Sequence, residues 1–203
     1  LLSLYSLRGL PVQAQLVEYI SIAGKVVRRT LIGSPTSNVV MYMLRLPEGY
    51  STTIQTGSVT GIGPAPTATF SFGELKSFIN ALIAFERDDG DSWVNLQDTT
   101  ASGSEDHPEH ITTAQFMKQA LDDYAASNPT HCVRSIEWRG CSSTSRPVNY
   151  SSDEQTWQLD AWNTLNDTMV RHHGPDTRDR DHSAFLYRIY DNGIAPAAYG
   201  PCE

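Results

Sequence analysis

Long hydrophobic runs and an excess of positive charge are both missing from this sequence of 203 residues. No stretch approaches the roughly 18 consecutive apolar residues that a membrane-spanning helix requires, so we expect a soluble protein without a membrane span. Asp and Glu together number 23 against 15 Lys and Arg, which gives a formal net charge of −8. Nucleic acids and anionic membrane surfaces attract an excess of Lys and Arg, so we expect no nucleic-acid partner.

The short motifs of several enzyme classes are missing too. There is no serine nucleophile elbow, no phosphate-binding loop and no dinucleotide fingerprint, and the glycines of TGSVTGIGP lack the G-x-G-x-x-G spacing. The sequences around two cysteines, THCV and RGCS, match no cysteine-nucleophile signature. Function therefore has to be sought in clusters of titratable side chains.

Cysteine is scarce, with three in the chain, so at most one internal disulfide forms. The segment CVRSIEWR, which begins at Cys132, has the composition of a strand. Its extended length would place Cys141 far beyond the roughly 7 Å Cα separation that a bridge to Cys132 permits. We therefore expect Cys202 to bridge to one of these two residues, and the predicted pair is Cys141–Cys202. The alternative is three reduced cysteines in a cytosolic protein.

Several features favour secretion. The N-terminal segment 1–15, LLSLYSLRGLPVQAQ, resembles the remnant of a signal peptide, and the alternative is an apolar segment packed on the domain. The triplets that begin at Asn149 and Asn166 fit the N-glycosylation pattern. Arg28-Arg29 matches a dibasic processing site, although both arginines can equally project from a strand. We expect a secreted glycoprotein.

Hydrophobic periodicity predicts an α+β fold. Residues 16–32 read as two strands joined at Ala23-Gly24-Lys25, and further strands are expected in NVVMYMLRL, SWVNL, HCVRSIEWRG and SAFLYRIYDNG. Helices are expected in SFGELKSFINALIAFER, over residues 112–126, and from Ser152 onward, the last with a core-facing stripe of Trp157, Ala161, Leu165 and Met169. The expected architecture is a single α+β domain over residues 16–203, with a mainly antiparallel sheet and about three helices packed on it.

The stretch VRHHGPDTRDRDHS, residues 170–183, concentrates histidine, arginine and aspartate. Imidazole exchanges a proton near neutral pH, guanidinium stabilises an anionic intermediate, and a carboxylate can orient the imidazole. The predicted catalytic residues are His173, Arg178, Asp181 and His182, with Arg180 as an alternative to Arg178. The competing interpretation is structural: a helix ends at the histidines, Gly174 caps it, and a solvated loop follows.

A second cluster, EDHPEH, ends the polar loop of residues 97–110. Glu105, His107 and His110 are predicted metal ligands, because imidazole nitrogens and a carboxylate oxygen suit tetrahedral Zn²⁺. Pro108 argues against a helix that begins earlier in the loop. The alternative is that the acidic residues stabilise the N-terminal end of the next helix. In that case no cofactor is expected, and zinc is the cofactor otherwise.

Two classes of function are consistent with these patterns. The first is a secreted protein that binds a protein or glycan partner at its surface, similar in type to fungal effectors and small toxin-like proteins. The second is a hydrolase that uses the His, Asp and Arg side chains for acid–base chemistry, with assistance from zinc. A glycan partner would stack on exposed aromatic faces. Trp162 is expected to be exposed, and Trp93, Trp138 and Trp157 to pack in the core.

Overall fold

The computed structural model describes residues 14–33, 38–63, 66–87, 92–103, 105–172, 174, 176, 178 and 183–202. Most of the predicted N-terminal segment 1–15 lies outside these ranges, as do His173, Arg180, Asp181 and His182. The chain divides into two compact units. Unit 1 comprises Leu1–Glu18, Arg29–Tyr42 and Ser143–Ile189, and unit 2 comprises Tyr19–Arg28, Met43–Ser142 and Tyr190–Glu203. The single domain over residues 16–203 stays a prediction.

The first sheet contains β1 (Ala14–Ile22), β2 (Lys25–Gly33) and β3 (Asn38–Met43), in that order. The turn between β1 and β2 is Ala23-Gly24, and both residues have positive φ angles, of 48° and 74°. Two positive φ angles in a two-residue connection match the twist of the antiparallel strands on either side. The hairpin prediction is confirmed, and Arg28-Arg29 lies within β2.

A short helix and a two-stranded sheet follow. The helix α1 spans Tyr50–Thr56, and the antiparallel strands β4 (Ser58–Thr60) and β5 (Thr69–Ser71) follow it. The sequence analysis did not predict α1, because its threonines and isoleucine have low helix propensity. Tertiary contacts compensate, since the Tyr50 hydroxyl donates to the Glu109 carbonyl and the Ser51 hydroxyl to the Glu109 carboxylate.

The third sheet is mixed. Strand β6 (Ser92–Gln97) is parallel to β7 (Val133–Trp138), and β8 (Ala197–Tyr199) is antiparallel to β7. The α+β class is confirmed, but the strands form three small sheets instead of one. The β6–β7 pair is parallel because the connection between the two strands runs through a long helix, as parallel pairs require.

The three longer helices are those that the periodicity predicted: α2 (Phe72–Glu86), α3 (Pro108–Ser127) and α4 (Ser152–Arg171). Ser71 and Glu74 form the predicted capping box of α2. The capping box of α4 is Ser151 with Glu154, and the helix begins at Ser152, the residue from which it was predicted. Helix α3 begins at Pro108, four residues before the predicted position 112. Proline is tolerated in the first helical turn because an N–H there would have no acceptor within the helix.

The core of unit 2 forms where α3 packs on the third sheet. Leu96, Leu121, Tyr124 and Val133 are buried together there, and Ile83, Val94, Met117 and Tyr199 pack against them. By contrast, α4 in unit 1 buries Asn166 fully while Leu165 is exposed. The predicted core-facing stripe on α4 was therefore wrong at Leu165, whereas Trp157, Ala161 and Met169 are half-buried. The element that contacts α4 most within unit 1 is the short 3₁₀ helix Ala184–Tyr187, which covers only part of a 20-residue helix.

The segment SAFLYRIYDNG is not a strand. Residues Ala184–Tyr187 form a 3₁₀ helix, and Ile189 is exposed to solvent. The Arg188 guanidinium donates to the carbonyls of Arg146 and Ala184. The edge of β7 is occupied instead by β8, from the C-terminal tail.

The disulfide links Cys132 to Cys202, with a Cα–Cα distance of 4.8 Å, and Cys141 is a free thiol. The predicted pair Cys141–Cys202 was therefore wrong. The physical reason is the β7–β8 pairing, whose register sets Val133 opposite Tyr199 and so brings the neighbouring Cys132 to the tail. The Cβ-free Gly200 completes this approach, because a side chain there would lie 2.0 Å from the His131 carbonyl oxygen.

The two predicted glycosylation sites differ in exposure. Asn149 is exposed, although its side-chain amide already bonds to the backbone of Ile189. Asn166 is 0% exposed within α4, and its amide donates to the Trp162 carbonyl. A glycan has no space at a fully buried side chain, so of the two predicted sites only Asn149 is accessible in this fold.

Two further observations concern the outer surface. None of the helices within the described ranges combines the length and the apolar content that crossing a membrane demands. Among the tryptophans, Trp93 is the exposed one and lies under the Arg134 guanidinium, whereas Trp162 is half-buried. The expectation for both residues was therefore wrong.

Candidate metal centre

Polar side chains converge in unit 2 at the carboxyl ends of β6 and β7. Because these strands are parallel and in register, Asp98 and Arg139 follow them at the same edge of the sheet. The loop after β6 leads to Asp106 and α3, and the segment after β7 leads to Gly140 and Cys141. Edges of this kind are where α/β sheets commonly place ligand sites.

A buried carboxylate network fixes the start of this edge. The Asn192 amide donates to Asp98 Oδ1 at 3.1 Å and to Glu137 Oε2 at 2.8 Å. The backbone N–H and hydroxyl of Thr100 also donate to Asp98, and those of Thr99 donate to Glu137. Burial opposes ionisation of Asp98, but these bonds and Arg139 outweigh it and lower the pKa of the carboxyl group. These hydrogen bonds therefore anchor the loop after β6 to Asn192 and to Glu137 of β7.

Asp106 is the centre of the cluster, and its side chain is only 2% exposed. Its Oδ1 accepts the His107 backbone N–H at 2.8 Å and lies 2.7 Å from His110 Nδ1. The helix α3 makes this second contact, because residues four apart stand on one helical face and Asp106 lies just before the first turn. Gly140 makes room for the carboxylate, since a Cβ there would lie 2.1 Å from Asp106 Oδ2.

Cys141 supplies the third polar group, at the start of a 3₁₀ helix (Cys141–Ser145). One ligand atom each from Asp106, His110 and Cys141 lies within 4.8 Å of the others. Burial raises the pKa of the Cys141 thiol, and so do its hydrogen bond to Asp106 and the negative charge of that carboxylate. Burial raises the pKa of Asp106 too, but bonds from His107, His110 and Cys141 outweigh it and lower that pKa overall. The proton therefore stays on sulfur and points at a carboxylate.

The predicted metal set is only partly brought together. His110 belongs to the cluster, whereas the Glu105 carboxylate accepts from the backbone and hydroxyl of Ser102. His107 lies beside His110, with ring centroids 5.3 Å apart, but it is exposed and contributes no atom to the cluster. Glu105 and His107 are displaced as ligands because α3 begins at Pro108 and selects the i, i+4 partner Asp106 instead.

Arg178 is the one predicted catalytic residue within the described ranges. Its guanidinium pairs with Asp176 and Asp167, each at 2.7 Å, on an exposed surface. The bonds from Arg178 lower the pKa of Asp176 to about 2. These contacts match the structural interpretation of a solvated Asp–Arg loop after α4. His173, Asp181 and His182 lie outside the described residues, so the catalytic set remains a prediction.

Of the three residues in the cluster, only His110 was predicted as a metal ligand; Asp106 and Cys141 were not. The spacing of Asp106 and His110 was present in EDHPEH, but it becomes meaningful only once α3 is extended to Pro108. Cys141 is separated from them by a whole helix and strand, and it approaches because β6 and β7 are parallel. No local pattern encodes that approach.

Comparison with known proteins adds no family to this description. No protein-family model matches the chain, and neither the curated proteins nor the solved structures contain a significant match.

Proposed function

We propose that this chain is an extracellular protein that binds Zn²⁺ through Asp106, His110 and Cys141. The observation that carries the proposal is the convergence of a carboxylate oxygen, an imidazole nitrogen and a sulfur within 4.8 Å. Donor atoms around a tetrahedral zinc ion lie roughly 3.5 Å apart, so a side-chain adjustment of about 1 Å suffices.

The donor set favours zinc over the hard cations. Thiolate and imidazole are ligands of zinc and other borderline metals, whereas Ca²⁺ and Mg²⁺ prefer oxygen. The low pKa of Asp106 supplies one charged ligand in advance, and burial and Asp106 raise the pKa of Cys141. Metal binding has to displace the thiol proton, so it releases a proton and strengthens as pH rises.

Three protein ligands leave one position of a tetrahedral ion open. The His110 side chain is 39% exposed, so the centre is accessible from solvent. Structural zinc sites are usually closed by four protein ligands, and sites with three are typical of catalytic zinc. A zinc ion held here would supply Lewis acidity and lower the pKa of a bound water. Hydrolysis is therefore the activity that we propose for the centre.

The disulfide supports the extracellular location. Stable disulfides form in oxidising compartments, and Cys132–Cys202 closes a loop of 70 residues. The exposed Asn149 remains a candidate glycan acceptor, as proposed from its sequence pattern.

Native mass spectrometry and zinc titration test the binding step. Asp106→Asn, His110→Ala and Cys141→Ser should each weaken zinc binding by more than about tenfold, the loss that even an outer partner of a zinc ligand can cause. The matched controls are Glu105→Gln and His107→Ala, which alter neighbouring side chains of the same types outside the cluster. Co²⁺ substitution should add a thiolate charge-transfer band that Cys141→Ser removes. Loss of binding in the controls but not in Asp106→Asn would overturn the proposed ligand set.

Hydrolysis is tested separately with zinc-loaded protein and chromogenic ester and phosphodiester substrates. Activity should disappear with a chelator and return with zinc. Stoichiometric zinc without any turnover would contradict the catalytic proposal and leave the ion a structural role.

A further inference from the structure

A pocket in unit 2, separate from the metal cluster, is lined by two arginines. It lies among β2, the end of β3, Ile62 and residues 66–68, and it encloses about 380 Å³ up to its open mouth. Its enclosed interior is narrow, with room for little more than one water-sized group. Its lining includes Tyr19, Val26, Arg28, Arg45 and Ile62.

Neither arginine is neutralised by the described part of the chain. The guanidinium groups of Arg28 and Arg45 have no ion-pair or hydrogen-bond partner there, and the Arg28 Nε atom is buried without an acceptor. The neighbouring Arg29 shows the contrast, since it lies on the other face of β2 and pairs with Glu18 at 2.6 Å. A buried N–H donor without an acceptor is unfavourable and rare in folded proteins.

The backbone at Arg45 adopts an unusual conformation. This residue has a φ angle of 52°, in the left-handed region that residues with a side chain seldom adopt. The Ile62 N–H holds it there by donating to the Arg45 carbonyl at 2.8 Å. Gly63 leaves space for the guanidinium, because a Cβ at that position would lie 2.3 Å from Arg45 Nη1.

We propose that Arg28 and Arg45 bind the oxyanion head group of a small amphiphilic ligand. Two guanidinium groups in one pocket suit a carboxylate, sulfate or phosphate, to which arginine donates in a planar, bidentate geometry. Within the described ranges no acidic side chain pairs with them, although the chain has a net charge of −8 and acidic side chains are abundant. The narrow interior admits part of a head group and excludes a bulky body.

The rim of the pocket specifies the rest of the ligand. Tyr19, Val26 and Ile62 all line it and are exposed large hydrophobic residues, Ile62 to 59%. An apolar or aromatic body attached to the head group would cover these side chains, and burial of apolar area would add to the affinity. The site therefore gives a specific ligand class to the surface-binding function expected from the sequence, and it is independent of the zinc proposal.

Calorimetric titration with four probes tests the inference. Octyl phosphate should bind, octanol should bind at least about tenfold more weakly because it lacks the charge, and inorganic phosphate should bind weakly because it lacks the apolar body. Vesicles of anionic phospholipid present the same chemistry in a membrane. Binding to vesicles without binding to octyl phosphate would overturn the small-ligand proposal, and so would equal binding of octanol and octyl phosphate.

Variants locate the site. Arg28→Gln and Arg45→Gln should each weaken octyl phosphate binding by about tenfold or more, whereas Arg171→Gln, which removes the same charge from α4, should leave it within about twofold. Arg45→Gly removes the guanidinium while relieving the positive φ angle, so this variant should stay folded and still lose binding. Retained binding in Arg45→Gly would contradict the proposal.

Discussion

At the scale of single residues, Asp98 shows how a fold selects one ionisation state. Asp98 and Glu137 share one amide donor from Asn192, and the hydroxyl and N–H groups of Thr100 and Thr99 complete their bonding. Folding lowers the pKa of Asp98, so the folded protein stabilises its charged form. At pH values above the ordinary aspartate pKa of 3.8, ionised Asp98 adds to the free energy of unfolding. This contribution is lost as the pH falls through the lower pKa of the folded state.

Asp98→Asn should therefore change the pH dependence of stability. The variant should lose about 1–3 kcal/mol at pH 7, because buried donors lose a charged acceptor, and its stability should fall less steeply in acid. Urea unfolding between about pH 3 and pH 7 measures both effects. Asp160→Asn, on the exposed surface of α4, is the matched control. If the free energy of unfolding of wild type and Asp98→Asn changed in parallel with pH, Asp98 would not contribute to the acid dependence of stability.

Gly140→Ala should disturb the metal centre by steric contact alone. The new Cβ would lie 2.1 Å from Asp106 Oδ2, and the carboxylate is too buried to move freely. We expect a loss of about 1–3 kcal/mol in stability together with weaker zinc binding. At Gly73 an added Cβ would have no atom within 4 Å, so Gly73→Ala should leave stability and zinc binding almost unchanged. Thermal unfolding and zinc titration of the pair distinguish the two positions, and equal behaviour would contradict the clash.

At the scale of elements, local signals account for most of the helices and non-local pairing accounts for the errors. The capping box at Ser71 and the apolar periodicity of α2 and α3 were visible in the sequence. The helix α1 was not, because it depends on contacts between Tyr50, Ser51 and the distant Glu109. The C-terminal strand β8 likewise depends on an edge of β7 that no local pattern announces.

The candidate site follows the same division. His110 was identified from its residue type, and its true partners Asp106 and Cys141 required the helix start at Pro108 and the parallel β6–β7 pair. In the predicted disulfide Cys202 was correct, but its partner Cys141 was wrong. Spacing along the chain excluded the Cys132–Cys141 bridge, but only the β7–β8 register selects Cys132 as the partner.

The Cys132–Cys202 bridge should stabilise the element that it closes. A closed loop with a sequence separation of 70 residues corresponds to about 4 kcal/mol in the chain-entropy treatment. Cys202→Ser should lower the free energy of unfolding by an amount of this order, and Cys141→Ser should not. Peptide mapping under non-reducing conditions should find residues 132 and 202 linked and Cys141 alkylated. A linked Cys141 would contradict the assignment.

At the scale of the whole molecule, the zinc proposal predicts a coupling between metal and stability. A ligand that binds the folded chain alone raises the free energy of unfolding by about 2.7 kcal/mol at 100 times its Kd. Zinc at micromolar excess should therefore raise the unfolding midpoint, a chelator should reverse the rise, and the Asp106→Asn protein should show neither effect. Differential scanning calorimetry measures these shifts of the unfolding midpoint. An equal rise in Asp106→Asn would place the ion elsewhere.

The protonated thiol of Cys141 also bears on how this chain acquires its covalent structure. Three cysteines can pair in three ways, and a wrong pair is corrected only while some thiolate remains to attack a disulfide. Once the Cys141 S–H donates a hydrogen bond to the Asp106 carboxylate, burial and that contact raise the pKa of the thiol, and its thiolate fraction falls. Folding of this cluster therefore slows disulfide exchange from within the chain, so that the native Cys132–Cys202 bridge, once made, is attacked less readily by the Cys141 thiol.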